Sequence, residues 1–117
     1  MKLIIAGSRD IHVTPQFIHH CIEIFKLEPS IIVSGGCRGV DINGETYAHW
    51  IGVPIMRFEA DWNKFGKQAG HLRNKQMSEY SDQLLVIHHN SAGSLDMIGQ
   101  MAKINKPVWQ VFWEEEV

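Results

Sequence analysis

Two short segments of the chain carry residues suited to holding an oxyanion. The first is Ser34-Gly35-Gly36-Cys37-Arg38-Gly39-Val40-Asp41, with three glycines in five positions. Glycines permit positive φ and let backbone N–H groups approach an anion with no Cβ between them. The second is Asn90-Ser91-Ala92-Gly93-Ser94. Neither is a Walker A sequence, since no Gly-Lys-Ser/Thr follows, and neither fits the dinucleotide fingerprint. Each string is also compatible with a tight strand-to-helix turn that binds nothing.

Around these loops stand side chains that could complete a site. Arg73 occupies the inward stripe of a helical stretch, one turn before Met77, where it either clasps a phosphate or carboxylate through two parallel hydrogen bonds or pairs with Asp10, Asp41 or Asp61. Asn74 beside it hydrogen-bonds a ribose or stabilises the helix. Trp62, in a polar segment made locally basic by Lys64 and Lys67, stacks on a base or packs on its own domain. Cys37 has no histidine placed to activate it and reads as a small loop filler. His88-His89 lacks a third ligand at zinc-like spacing, so neither a metal nor another cofactor is expected.

The elements that must position these residues follow from hydrophobic periodicity. Apolar runs at Lys2–Ala6, Ile31–Val33, Pro54–Phe58, Gln83–Ile87 and Val108–Phe112 read as strands, the first four of which lead into polar loops. Helical spacing recurs after Thr14-Pro15 through Phe25, from Val40 to Ile51, from Gly66 to Ser81 and from Leu95 to Asn105. Alternation of this kind predicts a three-layer α/β fold of Rossmann-like build, with a mainly parallel five-stranded sheet and helices on both faces. In such a sheet ligands bind beyond the carboxyl ends of the strands. That rim collects Gly7-Ser8-Arg9-Asp10, the glycine loop, Ala60-Asp61-Trp62 and the loop after the fourth strand, whereas the opposite turns, such as Ile104-Asn105-Lys106-Pro107, read as plain connectors.

Composition sets the bounds. The 117 residues suit one domain, 1–117, able to bury a core without staples. A net charge of −2 argues against a surface shaped wholly for nucleic acid. Cys21 and Cys37 form no disulfide framework, and no apolar run approaches a signal or membrane span, so a cytoplasmic setting without membrane contact is expected. Trp109, Trp113 and the methionines of the last helix either pack inside or offer the face of a homodimer. The acidic end Glu114-Glu115-Glu116 reads as solvated.

Gly7-Ser8-Arg9-Asp10, the Ser34–Asp41 loop, Ala60-Asp61-Trp62 and Gly70-His71-Leu72-Arg73-Asn74-Lys75-Gln76-Met77 occur in that order, and together they resemble the SLOG superfamily, in particular small YspA-related proteins with a DUF2493-type domain. The resemblance covers nearly the whole chain. It implies a Rossmann-like domain that binds nucleotides or nucleotide-derived small molecules; relatives include cytokinin-activating phosphoribohydrolases, the DNA-processing protein DprA and amino-terminal domains of TRPM channels. The family's glycine loop falls on Gly35, Gly36, Gly39 and Asp41, and its arginine-bearing helix on Arg73 and Asn74. Its second phosphate loop falls on Asn90 to Ser94, with Gly93-Ser94 in place of Gly-Thr and Asn90 where an acid is common. The glutamate implied to cleave the N-glycosidic bond in the phosphoribohydrolases is matched by Met97. Asp96 is one residue away, and one residue turns a helical side chain by about 100°.

Three functions are therefore expected, in this order. The first is capture of a nucleotide or ADP-ribose-like small molecule, as sensor or sequestering module, by Gly7, Ser8, Arg9, Ser34, Gly35, Gly36, Arg38, Gly39, Asp41, Trp62, Arg73, Asn74, Asn90, Ser91, Gly93 and Ser94. The second is N-glycosidic hydrolysis of a nucleoside monophosphate, with Arg73 orienting the substrate and Asp41 or Asp10 as general base. The third is binding of single-stranded DNA by Arg9, Arg38, Lys64, Lys67 and Arg73.

Overall fold

A computed structural model describes residues 1–114, so Glu115 and Glu116 of the acidic end lie outside the described residues. The order along the chain is β1 (Lys2–Gly7), α1 (Pro15–Ile24), β2 (Ile31–Ser34), α2 (Val40–Ile51), β3 (Ile55–Arg57), α3 (Trp62–Phe65), a 3₁₀ turn (Gly66–Gln68), α4 (Ala69–Tyr80), β4 (Gln83–His88), α5 (Ala92–Lys103) and β5 (Val108–Phe112). The strands form one sheet in the order β3-β2-β1-β4-β5, and every pairing is parallel.

Alternation along the strands assigns the two faces. Leu3, Ile5, Ile32, Leu85 and Ile87 point to one side, where Ile18, Cys21 and Ile22 of α1 and Val40, Tyr47 and Ala48 of α2 cover them. Ile4, Ala6, Val33, Leu84 and Val86 point to the other, beneath Met77 of α4 and Met97 and Met101 of α5. The predicted three-layer α/β architecture is thus the observed one.

Local signals set most boundaries. The Thr14 hydroxyl accepts from the Phe17 N–H at 3.1 Å with Pro15 in the first turn, and α2 stops at Gly52, which is left-handed at φ 78°. The helix predicted over 66–81 begins at Ala69 instead. Its forepart is divided because Gly66 takes φ 55°, and a separate turn, α3, is capped where the Asp61 carboxylate accepts from the Lys64 N–H at 3.1 Å. The chain therefore holds an additional helical turn that a polar, aperiodic segment did not announce. The third strand is also shorter than its predicted 54–58 span.

Trp109 and Trp113 are partly buried and pack at α1. Trp109 packs on Phe25 with ring centroids 5.2 Å apart and donates from Nε1 to Gln83 Oε1 at 2.7 Å, while Trp113 meets Phe17 edge-on at 5.5 Å. Met97 and Met101 are fully buried. The far connector is more than a link: Lys106 Nζ donates to the Ser78, Glu79 and Ser81 carbonyl oxygens at 2.8, 3.1 and 2.7 Å, capping the carboxyl end of α4 with a cation. No helix among the described residues is long and apolar enough to cross a membrane.

Candidate functional site at the carboxyl rim

The chain order reverses between β1 and β4: β1 connects toward β2, β4 toward β5, and their loops part at the rim. A cavity of ≈ 550 Å³ opens there. Gly7, Arg9 and Asp10 line it from β1, Cys37, Arg38 and Asp41 from the glycine loop and α2, Arg73, Asn74 and Met77 from α4, and Ser91 to Ser94 and Met97 from the start of α5. Its size falls in the ordinary range for small-molecule pockets.

The glycine loop is folded tightly onto its own neighbours. A Cβ on Gly7 would lie 2.0 Å from the Ile87 carbonyl oxygen, and one on Gly39, whose φ is 83°, would lie 2.6 Å from the carbonyl oxygens of Ser8 and Arg9. A Cβ on Gly35 would meet Asp41 Oδ2 at 2.8 Å and Arg73 Nη1 at 3.0 Å. The Gly36 N–H donates to Ser34 Oγ at 3.0 Å, and the Cys37 N–H donates to Asp41 Oδ2 at 3.3 Å. Ser34 in turn donates to Glu45 Oε2 at 2.7 Å, and Arg57 grips the same carboxylate, with Nε to Oε2 at 2.9 Å. Ser34 and Gly36 therefore belong to a structural network beside the cavity and do not line it.

Arg73 is 8 % exposed and lies across the floor of the rim. Its Nη1 donates to the Gly35 carbonyl oxygen at 2.8 Å and approaches Cys37 Sγ at 3.7 Å, and Nε donates to Asn74 Oδ1 at 3.2 Å. The alternative reading, an ion pair with Asp10, Asp41 or Asp61, is not what Arg73 makes. Among the described residues Nη2 has no acceptor, which leaves one arm of the guanidinium available to a ligand. Asp41, 5 % exposed, lies close by: burial pushes its carboxyl up to about 6, against the opposing pull of the Cys37 N–H, the Arg73 charge and the Gly7 N–H.

The loop after β4 is in a different state. Asn90 takes φ 67° and Ser91 is the N-cap of α5, but no side chain caps that helix. The first backbone bond runs from the Leu95 N–H to the Ser91 carbonyl oxygen at 3.0 Å, so the N–H groups of Ala92, Gly93 and Ser94 find no acceptor among the described residues. The Ser91 hydroxyl is drawn aside into a relay, Ser8 Oγ to Ser91 Oγ at 2.9 Å and Ser91 Oγ to Ser94 Oγ at 2.8 Å.

The remaining candidates are placed as follows. Asp10 stands at the mouth, its carboxylate held below the usual range by a 2.6 Å hydrogen bond to His89 Nε2. Asn74 Nδ2 donates to Asp96 Oδ2 at 2.9 Å and to the Gly93 carbonyl oxygen at 3.3 Å, and His71 Nδ1 lies 2.7 Å from Asp96 Oδ1. Asp96 thus braces α4 against α5 while Met97 faces the cavity. Trp62 is half exposed and lies over Gly70, outside the cavity wall. Sequence reasoning missed Ala6, Met77 and Met97 as the apolar part of the wall, and the Cys37–Arg73 contact. The period-2 and helical patterns could have placed the methionines, but no local signal announces the sulfur.

No protein-family model matches the chain, and no curated protein matches it in sequence. Among solved structures, the X-ray structure of DNA processing protein A (DprA) from Streptococcus pneumoniae is similar, with a TM-score of 0.77 at 16 % identity. The likeness covers 99 % of this chain and 51 % of that one, so this chain spans about half the length of that protein. At the level of architecture the conclusion is plain: this chain has the Rossmann-like α/β fold seen in DprA.

Proposed function

We propose that the chain binds a phosphate-bearing nucleotide or nucleotide-derived small molecule in the cavity between β1 and β4. The observation that carries this reading is the convergence of two sets of open donors, the uncapped first turn of α5 and the free arm of the buried Arg73, on one cavity of ligand size. A helix amino terminus and a guanidinium suit the same oxyanion. Arg9 and Arg38 add positive charge at the mouth, and Ala6, Met77 and Met97 offer apolar surface for the rest of a ligand.

The test is thermal melting of the purified protein against nucleoside mono-, di- and triphosphates, NAD and ADP-ribose, with chromatography of the mixtures. A ligand at a hundred times its Kd adds about 2.7 kcal/mol and raises the Tm by several degrees. Arg73→Gln is expected to weaken binding at least about tenfold, the loss of one charge-assisted contact. No shift with any ligand, or equal shifts in wild type and Arg73→Gln, rejects the reading. Release of free base, abolished in Asp41→Asn, would assign N-glycosidic hydrolysis to the same site.

One observation favours a second reading, single-stranded DNA. Trp62 and Phe65 are exposed on a segment that also carries Lys64, whose ammonium lies 5.2 Å from the Phe65 ring centroid, and Lys67. Aromatic faces interleaved with cations suit stacked bases and their phosphates. The similar protein named above is a DNA-processing protein. Oligonucleotide affinity that falls steeply with salt and weakens in Trp62→Ala would select this reading.

A further inference from the structure

The cavity wall holds two acids among its donors, and they are in opposite states. Asp10 is exposed and bonded to His89. Asp41 is buried, forms no ion pair with any described residue, and shares the space above Gly35 with Arg73 Nη1. An oxyanion on the free arm of Arg73 would therefore share one guanidinium with a carboxylate in the same cavity. Like charges so placed repel far more strongly than in water.

We propose that Asp41 is the specificity-determining residue of this site: while its carboxylate is ionised the cavity accepts singly charged oxyanions, the charge state of a phosphodiester, and it accepts a doubly charged one only together with a proton on Asp41. This rests on the cavity being an oxyanion site. Burial already brings the Asp41 carboxyl to about 6, so the proton is accessible near neutral pH. The groups that bear on Asp41 are Arg73 from α4, Glu45 farther along α2, Cys37 and Arg38 from the glycine loop, Arg9 and Asp10 from the loop after β1, and the Ser91 and Ser94 hydroxyls from α5. Two imidazoles stand behind this shell, His89 on Asp10 and His71 on Asp96.

Sulfate and methyl sulfate separate these effects, since the first stays doubly and the second singly charged from pH 5 to 8. Each is titrated into ¹⁵N-labelled protein while the amide signals of Ala92, Gly93 and Ser94 are followed. In wild type the sulfate Kd is expected to weaken about tenfold for each pH unit above 6, as the binding-competent protonated fraction falls. The methyl sulfate Kd changes little, and Asp41→Asn removes the sulfate dependence. Calorimetry of the wild type at pH 7 in two buffers of different ionisation enthalpy adds a reading that needs no variant, uptake of about one proton per sulfate and near none per methyl sulfate. Parallel pH dependence of the two probes, an unchanged sulfate slope in Asp41→Asn, or equal proton uptake overturns the proposal and leaves the oxyanion site standing. If neither probe moves those amides at any pH, the site and the proposal fall together.

Discussion

The loop after β2 holds three glycines and the loop after β4 none, Gly93 lying in the first turn of α5. Yet at α5 all three first-turn amides find no acceptor among the described residues, whereas at α2 the Ile42 N–H is bonded to the Cys37 carbonyl oxygen. In the first loop Gly35 and Gly39 are pressed against Asp41, Arg73 and two carbonyl oxygens, and the Gly36 and Cys37 amides are consumed by Ser34 and Asp41. At the start of α5, a Cβ on Gly93 would meet nothing within 4 Å. Glycine density in this chain reports how closely backbone segments pack. Neither helix start has a capping side chain, and at α5 the Ser91 hydroxyl is diverted to Ser8 and Ser94.

The sharpest way to break this contrast is Gly39→Ala. Its Cβ would face two backbone oxygens at 2.6 Å in a left-handed conformation, and a loss of about 3 kcal/mol or more is expected in the denaturant midpoint. Asp41→Asn should act in the opposite direction. A carboxyl raised from 3.8 to about 6 binds a proton more tightly in the folded chain, so folding stability falls as pH rises through that window and the penalty persists above it. At pH 8 the variant is expected to be more stable than wild type by about 3 kcal/mol, a margin that closes below pH 4. Chemical unfolding at pH 8 and at pH 4 measures both ends. Gly93→Ala gives the smallest effect, a gain of up to about 1 kcal/mol from helix propensity with no clash. A large loss there would show that the two loops are equally constrained.

The sheet was legible in the sequence because strands such as Leu3 to Ala6 and Leu84 to Ile87 are continuous apolar runs, and four helices because their stripes are long. The rim followed from where those strands end. The states of the groups on it did not, because they are set by partners distant in sequence: Arg73 reaches a carbonyl 38 positions away and Ser8 a hydroxyl 83 positions away. Near the site, α3 escaped notice because its single turn is too short for periodicity, although Asp61 three residues before Lys64 is a capping signal that could have been read. Trp109 and Trp113 were ambiguous for the complementary reason: their aromatic partners, Phe25 just past α1 and Phe17 within it, lie at the other end of the chain.

The Lys106 cation at the far end of α4 bears on how quickly a ligand can be taken up. Helix α4 is fastened at its tail by three carbonyl bonds to one ammonium and at its head by the Arg73 bond to Gly35, so the guanidinium is held in position before anything arrives. Little ordering entropy is left to be lost on capture. Association is then expected to run at the rate of diffusional encounter, without waiting for a rearrangement of the backbone.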